Sequence, residues 1–122
     1  QIPSKETKSH DVAFLYDLKA PWAAIRNQEN GLGFGLCWSE DVFNCIWFWQ
    51  VFGGPPGYNF YKRGYLTALE PWSSYPSDFN KAIANKTALK ICADQTIKSR
   101  LLAVIFEKTT PIRNITDSGE VE

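Results

Sequence analysis

The run Cys45-Ile46-Trp47-Phe48-Trp49-Gln50-Val51-Phe52 is apolar at both parities of a period-two repeat. Successive side chains of a strand point to opposite sides of its sheet, so this run has to be covered from both directions. It predicts a central strand in a fold of at least two layers. Gln50 is its one polar member and needs hydrogen-bond partners if buried. Gly53-Gly54-Pro55-Pro56-Gly57 ends it as a loop.

Other short strands surround it. Asp11 to Leu18 alternates Val12, Phe14 and Tyr16 with Ala13, Leu15 and Asp17, and Trp22 to Arg26 follows a turn. Asn30-Gly31 supplies the next turn, since this dipeptide tolerates positive φ. Leu32 to Trp38 alternates strictly: Leu32, Phe34, Leu36 and Trp38 against Gly33, Gly35 and Cys37. The glycine face is bare, so another layer or a ligand can approach it closely. Brief pairing is expected over 58–61, and then a strand over Gly64 to Glu70. Thr87 to Cys92 and Ile97 to Glu107 read as two more strands, the last apolar on both faces. Ser77 is the expected N-cap of one short helix over 77–84. The polar arm 1–8 and the polar tail 108–122 flank the β portion 9–107, and the tail is expected to be loose. Short strands with a turn signal about every ten residues predict an all-β, antiparallel sandwich with at most one short helix.

Glu70 is the only charge in the strand over 64–70, and Pro71 follows it directly. Pro71 predicts that the strand stops there or continues only as a sheet edge. Walled by Trp72 and Tyr75, Glu70 reads either as a base in a pocket or as a solvated carboxylate at a strand end. The segment Ala68-Leu69-Glu70-Pro71-Trp72-Ser73-Ser74-Tyr75-Pro76 resembles the Leu-Glu-Pro segment of the aldose 1-epimerases, the galactose mutarotase superfamily. Gly31 to Leu36, Trp47 to Gln50, and Gly53-Gly54 to Tyr58 resemble that family as well. The resemblance spans most of residues 9 to 107. It implies part of the family's large antiparallel supersandwich, corresponding to its C-terminal portion, with Glu70 as the catalytic base. It also implies that Asp11, in Asp11-Val12-Ala13-Phe14, accepts hydrogen bonds from sugar hydroxyls. The family's acid is a histidine that lies earlier in its sequence. His10, the one histidine here, does not match that motif and reads as a surface residue.

Anomer exchange needs a base at the C1 hydroxyl and an acid at the ring oxygen, on opposite sides of one sugar. Glu70 fits the base. Trp49, Gln50 and Trp72 join Asp11 as candidate substrate contacts. Aromatic rings pack against the apolar C–H faces of a sugar while polar groups take its hydroxyls. Trp47 is the alternative to Trp49, whichever shares the cleft of Glu70. Gln50 either binds a hydroxyl or satisfies a buried backbone group. The other reading is a non-catalytic carbohydrate-binding or structural β-domain that lacks the acid.

Lys+Arg and Asp+Glu both number 13, a formal net charge of zero. That disfavours nucleic acid and anionic membranes as partners, because both select basic surfaces. No apolar run approaches the roughly 18 residues of a membrane span. Cys37, Cys45 and Cys92 have no framework spacing, which predicts reduced thiols and a cytoplasmic protein. No zinc spacing, phosphate loop or nucleophile elbow occurs, so neither metal nor cofactor is expected. The sequence lacks Met, which predicts a processed product or an excised piece. The expected partners are a monosaccharide and either the missing N-terminal part of the domain or a second copy, since doubly apolar strands need cover.

Overall fold

The doubly apolar run forms the middle strand of a sheet in the computed structural model of the chain, which describes residues 2–57 and 59–122. The elements are β1 (Ser9–Leu15), β2 (Trp22–Arg26), β3 (Leu32–Trp38), β4 (Cys45–Gly53), β5 (Gly64–Trp72), α1 (Phe79–Ala84) and β6 (Leu101–Glu107), after a 3-10 turn at Lys5–Thr7. Two antiparallel three-stranded sheets result, ordered β1-β4-β5 and β2-β3-β6. The fold is all-β and sandwich-like, with one short α-helix among the described residues. No helix among them is long and apolar enough to cross a membrane.

Residues directly opposite one another in a ladder share a face. Register therefore sets Ala13 and Leu15 of β1, Ile46, Phe48 and Gln50 of β4, and Thr67 and Leu69 of β5 on one face. Opposing them are Ala23 and Ile25 of β2 with Phe34, Leu36 and Trp38 of β3. Leu36, Trp38 and Ile46 are the buried centre of this interface, packed by Leu18, Ala23, Phe43, Phe48 and Leu69. The Trp38 indole N–H donates to the Phe43 carbonyl at 2.8 Å, so the ring is buried without an orphaned donor. Away from this centre the sheets part. A crevice of about 400 Å³ opens between Ile25, Phe48, Gln50 and Leu69.

The glycine face of β3 is covered by the C-terminal tail, contrary to the expectation of a loose segment. Ile115 is 3% exposed, and a Cβ added at Gly35 would lie 2.3 Å from its Cδ1 atom. The tail is a narrow hairpin bridged between Ile115 and Val121, with Arg113 N–H donating to Glu122 O at 2.7 Å. Lys108 Nζ donates to Val121 O at 3.1 Å and ties the hairpin to the end of β6. A polar tail can dock because one apolar residue finds a hollow shaped by a missing side chain, and hydropathy averaged over the tail hides that residue.

Several expected boundaries move. β1 begins at Ser9 and ends at Leu15, earlier than the expected run to Leu18. β5 continues through Pro71 to Trp72, which its edge position allows because an edge strand tolerates a missing donor. The N-cap is Asp78 rather than Ser77: its carboxylate accepts from Lys81 N–H at 3.0 Å, and α1 starts at Phe79. No strand forms over Thr87–Cys92. The Thr87 hydroxyl is bonded to the Tyr75 and Ala82 carbonyls, fastening this stretch to the helix end instead. The last strand starts at Leu101, not Ile97. Tyr58 lies outside the described residues, so of the pairing expected over 58–61 only 59–61 are described, and they form a turn.

Ile115→Ala removes the plug from the glycine hollow. Large-to-small changes at buried aliphatic sites cost about 2–5 kcal/mol. Urea unfolding should show a lower midpoint at an unchanged slope; a midpoint equal to wild type would mean that the tail does not hold the sheet.

Candidate functional site

The opposite face of the β1-β4-β5 sheet carries His10, Val12 and Phe14 from β1, Trp47, Trp49 and Val51 from β4, and Leu66, Ala68, Glu70 and Trp72 from β5. It is an aromatic surface with one carboxylate. Glu70 stands directly opposite Trp47 across the β4–β5 ladder, and Phe14 stands opposite Trp47 on the other side. Trp47 and Trp72 stack with ring centroids 4.3 Å apart and planes inclined by 17°. Phe14 meets Trp47 edge-on at 5.4 Å. Each such aromatic pair adds about 0.5–1.5 kcal/mol beyond its buried area, enough to hold the wall in one arrangement.

Hydrogen bonds fix the polar parts of the wall. Trp72 Nε1 donates to Glu70 Oε2 at 3.1 Å, a contact made because residues two apart on a strand share a face. Trp47 Nε1 donates to Ser74 O at 2.8 Å. Beneath them the fully buried Cys45 directs its thiol to Trp72 O at 3.2 Å and Ser74 O at 3.3 Å. Cys45 thus clamps the 72–74 turn from which Trp72 projects. Burial pushes its thiol pKa above the ordinary 9.0, outweighing the Ser74 and Trp47 contacts that lower it. Burial likewise pushes the Cys37 thiol up, with its bond to Asp117 acting in the same direction.

The candidate residues separate into two groups. Glu70, Trp49 and Trp72 share the aromatic face. Trp47 shares it too and is the register partner of Glu70, so of the two β4 tryptophans Trp47 is the nearer to it. Asp11 and Gln50 face the other way. They are partners of one another across β1 and β4, on the side turned toward β2 and β3. Asp11 Oδ1 accepts from Val12 N–H at 2.8 Å, a local backbone cap, and Gln50 lines the crevice between the sheets. Asp11 and Glu70 therefore do not flank one cleft. Their parity relative to one another depends on the pairing register, which residue order alone does not contain.

His10, read from sequence as a surface residue, lies on the same face as Glu70. Its Nε2 accepts from Trp49 Nε1 at 3.0 Å, and its ring lies 5.2 Å from that of Phe60. His10 aligns with Val51 and Glu70 with Trp47, four positions apart along β4, or about 13 Å at strand rise. That exceeds the roughly 5–9.5 Å over which paired carboxyl groups flank the reacting bond of a sugar in glycosidases. The arrangement can stack a planar apolar surface on its indoles and accept a hydrogen bond at Glu70. Among the described residues, no group of three or more His, Cys, Asp or Glu side chains is placed to hold a metal ion.

No family model matches the chain, and no curated protein or solved structure matches it.

The buried thiols give a test of the clamp. Cys92 is exposed, whereas Cys37 and Cys45 are buried. A thiol reagent at mildly alkaline pH should therefore modify Cys92 quickly and the other two only on unfolding. A thiol whose folded pKa is raised adds stability below its unfolded value, which is lost as pH rises through the folded value. Stability should accordingly fall as pH climbs above about 9, and Cys45→Ser should flatten that fall. Rapid modification of Cys45 in the folded protein would contradict a closed turn.

Proposed function

We propose that this chain is a carbohydrate-active β-domain whose outer β1-β4-β5 face binds a monosaccharide. One observation carries the reading: Glu70 is set in an aromatic wall formed by Phe14, Trp47 and Trp72, with Trp72 still 40% exposed. A pyranose has an apolar C–H face and a rim of hydroxyls. Exposed indole accepts the first, and a carboxylate accepts hydrogen bonds from the second. Glu70 uses Oε2 for Trp72, which leaves Oε1 for a sugar hydroxyl. The likeness of residues 68–76 to the Leu-Glu-Pro segment of aldose 1-epimerases supports the same substrate class.

Binding is the activity proposed for the chain by itself. Anomer exchange with Glu70 as base would require an acid at the ring oxygen, and His10 is too far along the sheet to supply it. In an isomerase reading, that acid comes from outside the described residues, and Glu70 takes the C1 hydroxyl proton. Three free thiols fit a reducing compartment such as the cytoplasm.

Nuclear magnetic resonance titration with glucose and galactose should move the indole N–H signals of Trp47 and Trp72. Affinity near the millimolar range corresponds to about −4 kcal/mol. Trp72→Ala should weaken binding at least about tenfold, the equivalent of 1.4 kcal/mol. Glu70→Gln keeps the shape and should leave most of the binding intact. Polarimetry on either α-anomer should give no rate above buffer for this chain. Saturable binding that Trp72→Ala leaves unchanged would remove the proposed site, and rapid anomer exchange would show that an acid is already present.

A further inference from the structure

Strand β6 has one edge and one face without cover among the described residues. It pairs only with β3. Arg100 O accepts from Ser39 N–H, and Lys108 N–H donates to Gly31 O, so the even-numbered residues of β6 turn their backbone groups toward β3. In an antiparallel ladder the alternate residues then point outward. These are Leu101, Ala103, Ile105 and Glu107. Their side chains are exposed as well, Leu101 at 48% and Ile105 at 82%. The run Leu101 to Phe106 contains no charge and no proline. Natural edge strands are normally blunted by such residues, by bulges or by a covering segment, because an open apolar edge templates the addition of another strand.

We propose that β6 pairs with β6 of a second copy of this chain, antiparallel about a two-fold axis at Ala103, to give one six-stranded sheet. A two-fold axis normal to the sheet keeps each face on its own side, so odd-numbered residues meet odd-numbered residues. Centring on Ala103 sets Ala103 against its own copy and Leu101 against Ile105, the two large exposed aliphatic side chains of β6. All backbone groups that point outward from Leu101, Ala103 and Ile105 find partners in that register. The smallest side chain lies on the axis, where two copies of it must meet. The interface is isologous and closes after two copies.

Sedimentation velocity over a range of concentrations should show a dimer that dissociates on dilution. Ile105→Lys alters an exposed side chain, so the fold and the tryptophan emission should persist while association shifts to at least about tenfold higher concentration. A direct register test uses Ala103→Cys in a Cys92→Ser background. Opposed residues of a hydrogen-bonded antiparallel pair have Cα atoms about 5.5 Å apart, within the range a disulfide spans. Mild oxidation should therefore convert most of the protein to a covalent dimer. A monomer at every concentration overturns the proposal. So does a dimer that Ile105→Lys leaves intact, a dimer that Ala103→Cys fails to cross-link, or a particle whose mass grows without limit. None of these readouts depends on sugar binding, so the proposed function stands or falls separately.

Discussion

Two sheets have four faces, and packing one on the other covers only two. This constraint organises the chain, because both sheets contain strands that are apolar on both sides. The interface centred on Leu36, Trp38 and Ile46 covers one face of each. The glycine-bearing face of β3 is covered by the C-terminal hairpin through Ile115. The outer face of β4 is covered piecemeal: Phe60 packs near Val51 and Gly64 at one end, and the 72–74 turn closes over Cys45 at the other. Trp47, Trp49 and Trp72 lie between these two covers, partly exposed, which is why an aromatic surface exists there at all.

The proposed sugar face is thus a consequence of incomplete coverage. An indole tolerates this position because it is apolar in its body and polar at one edge. All three tryptophans place that edge on a partner: Ser74 O for Trp47, His10 Nε2 for Trp49 and Glu70 Oε2 for Trp72. Their ring faces are then held in fixed orientations. A binding surface whose rotamers are already restricted loses less entropy when a ligand arrives.

Sequence patterning located β2 and β3 to the residue and β4 to within one: β3 alternates strictly, β4 is a run apolar at both parities, and turn residues bound all three. It failed over Thr87–Cys92, where the alternation exists but the Thr87 hydroxyl bonds to the helix end. Side-chain bonds to backbone compete with ladders in a way that hydropathy does not record. The site was legible in part. Glu70 and Trp72 share parity and are two residues apart, so their meeting followed from the strand alone. Whether Asp11 joined them depended on the register between β1 and β4, and a shift of one residue would have reversed its face. His10 had no sequence signal beyond being the single histidine, and its contact with Trp49 follows from the same register.

The hollow at Gly35 links two positions 80 residues apart in the chain. A methyl group at Gly35 would occupy the space of the Ile115 terminal carbon, so the two side chains share one fixed volume. Enlargement at 35 is compatible with this packing only when 115 becomes smaller. Substitutions at the pair should therefore be non-additive, each single change costing more in one background than in the other. Sequence drift in the tail is coupled in this way to drift in the middle strand of the second sheet. A chimera that exchanges only the last dozen residues between related chains would inherit a mismatched half of the pair.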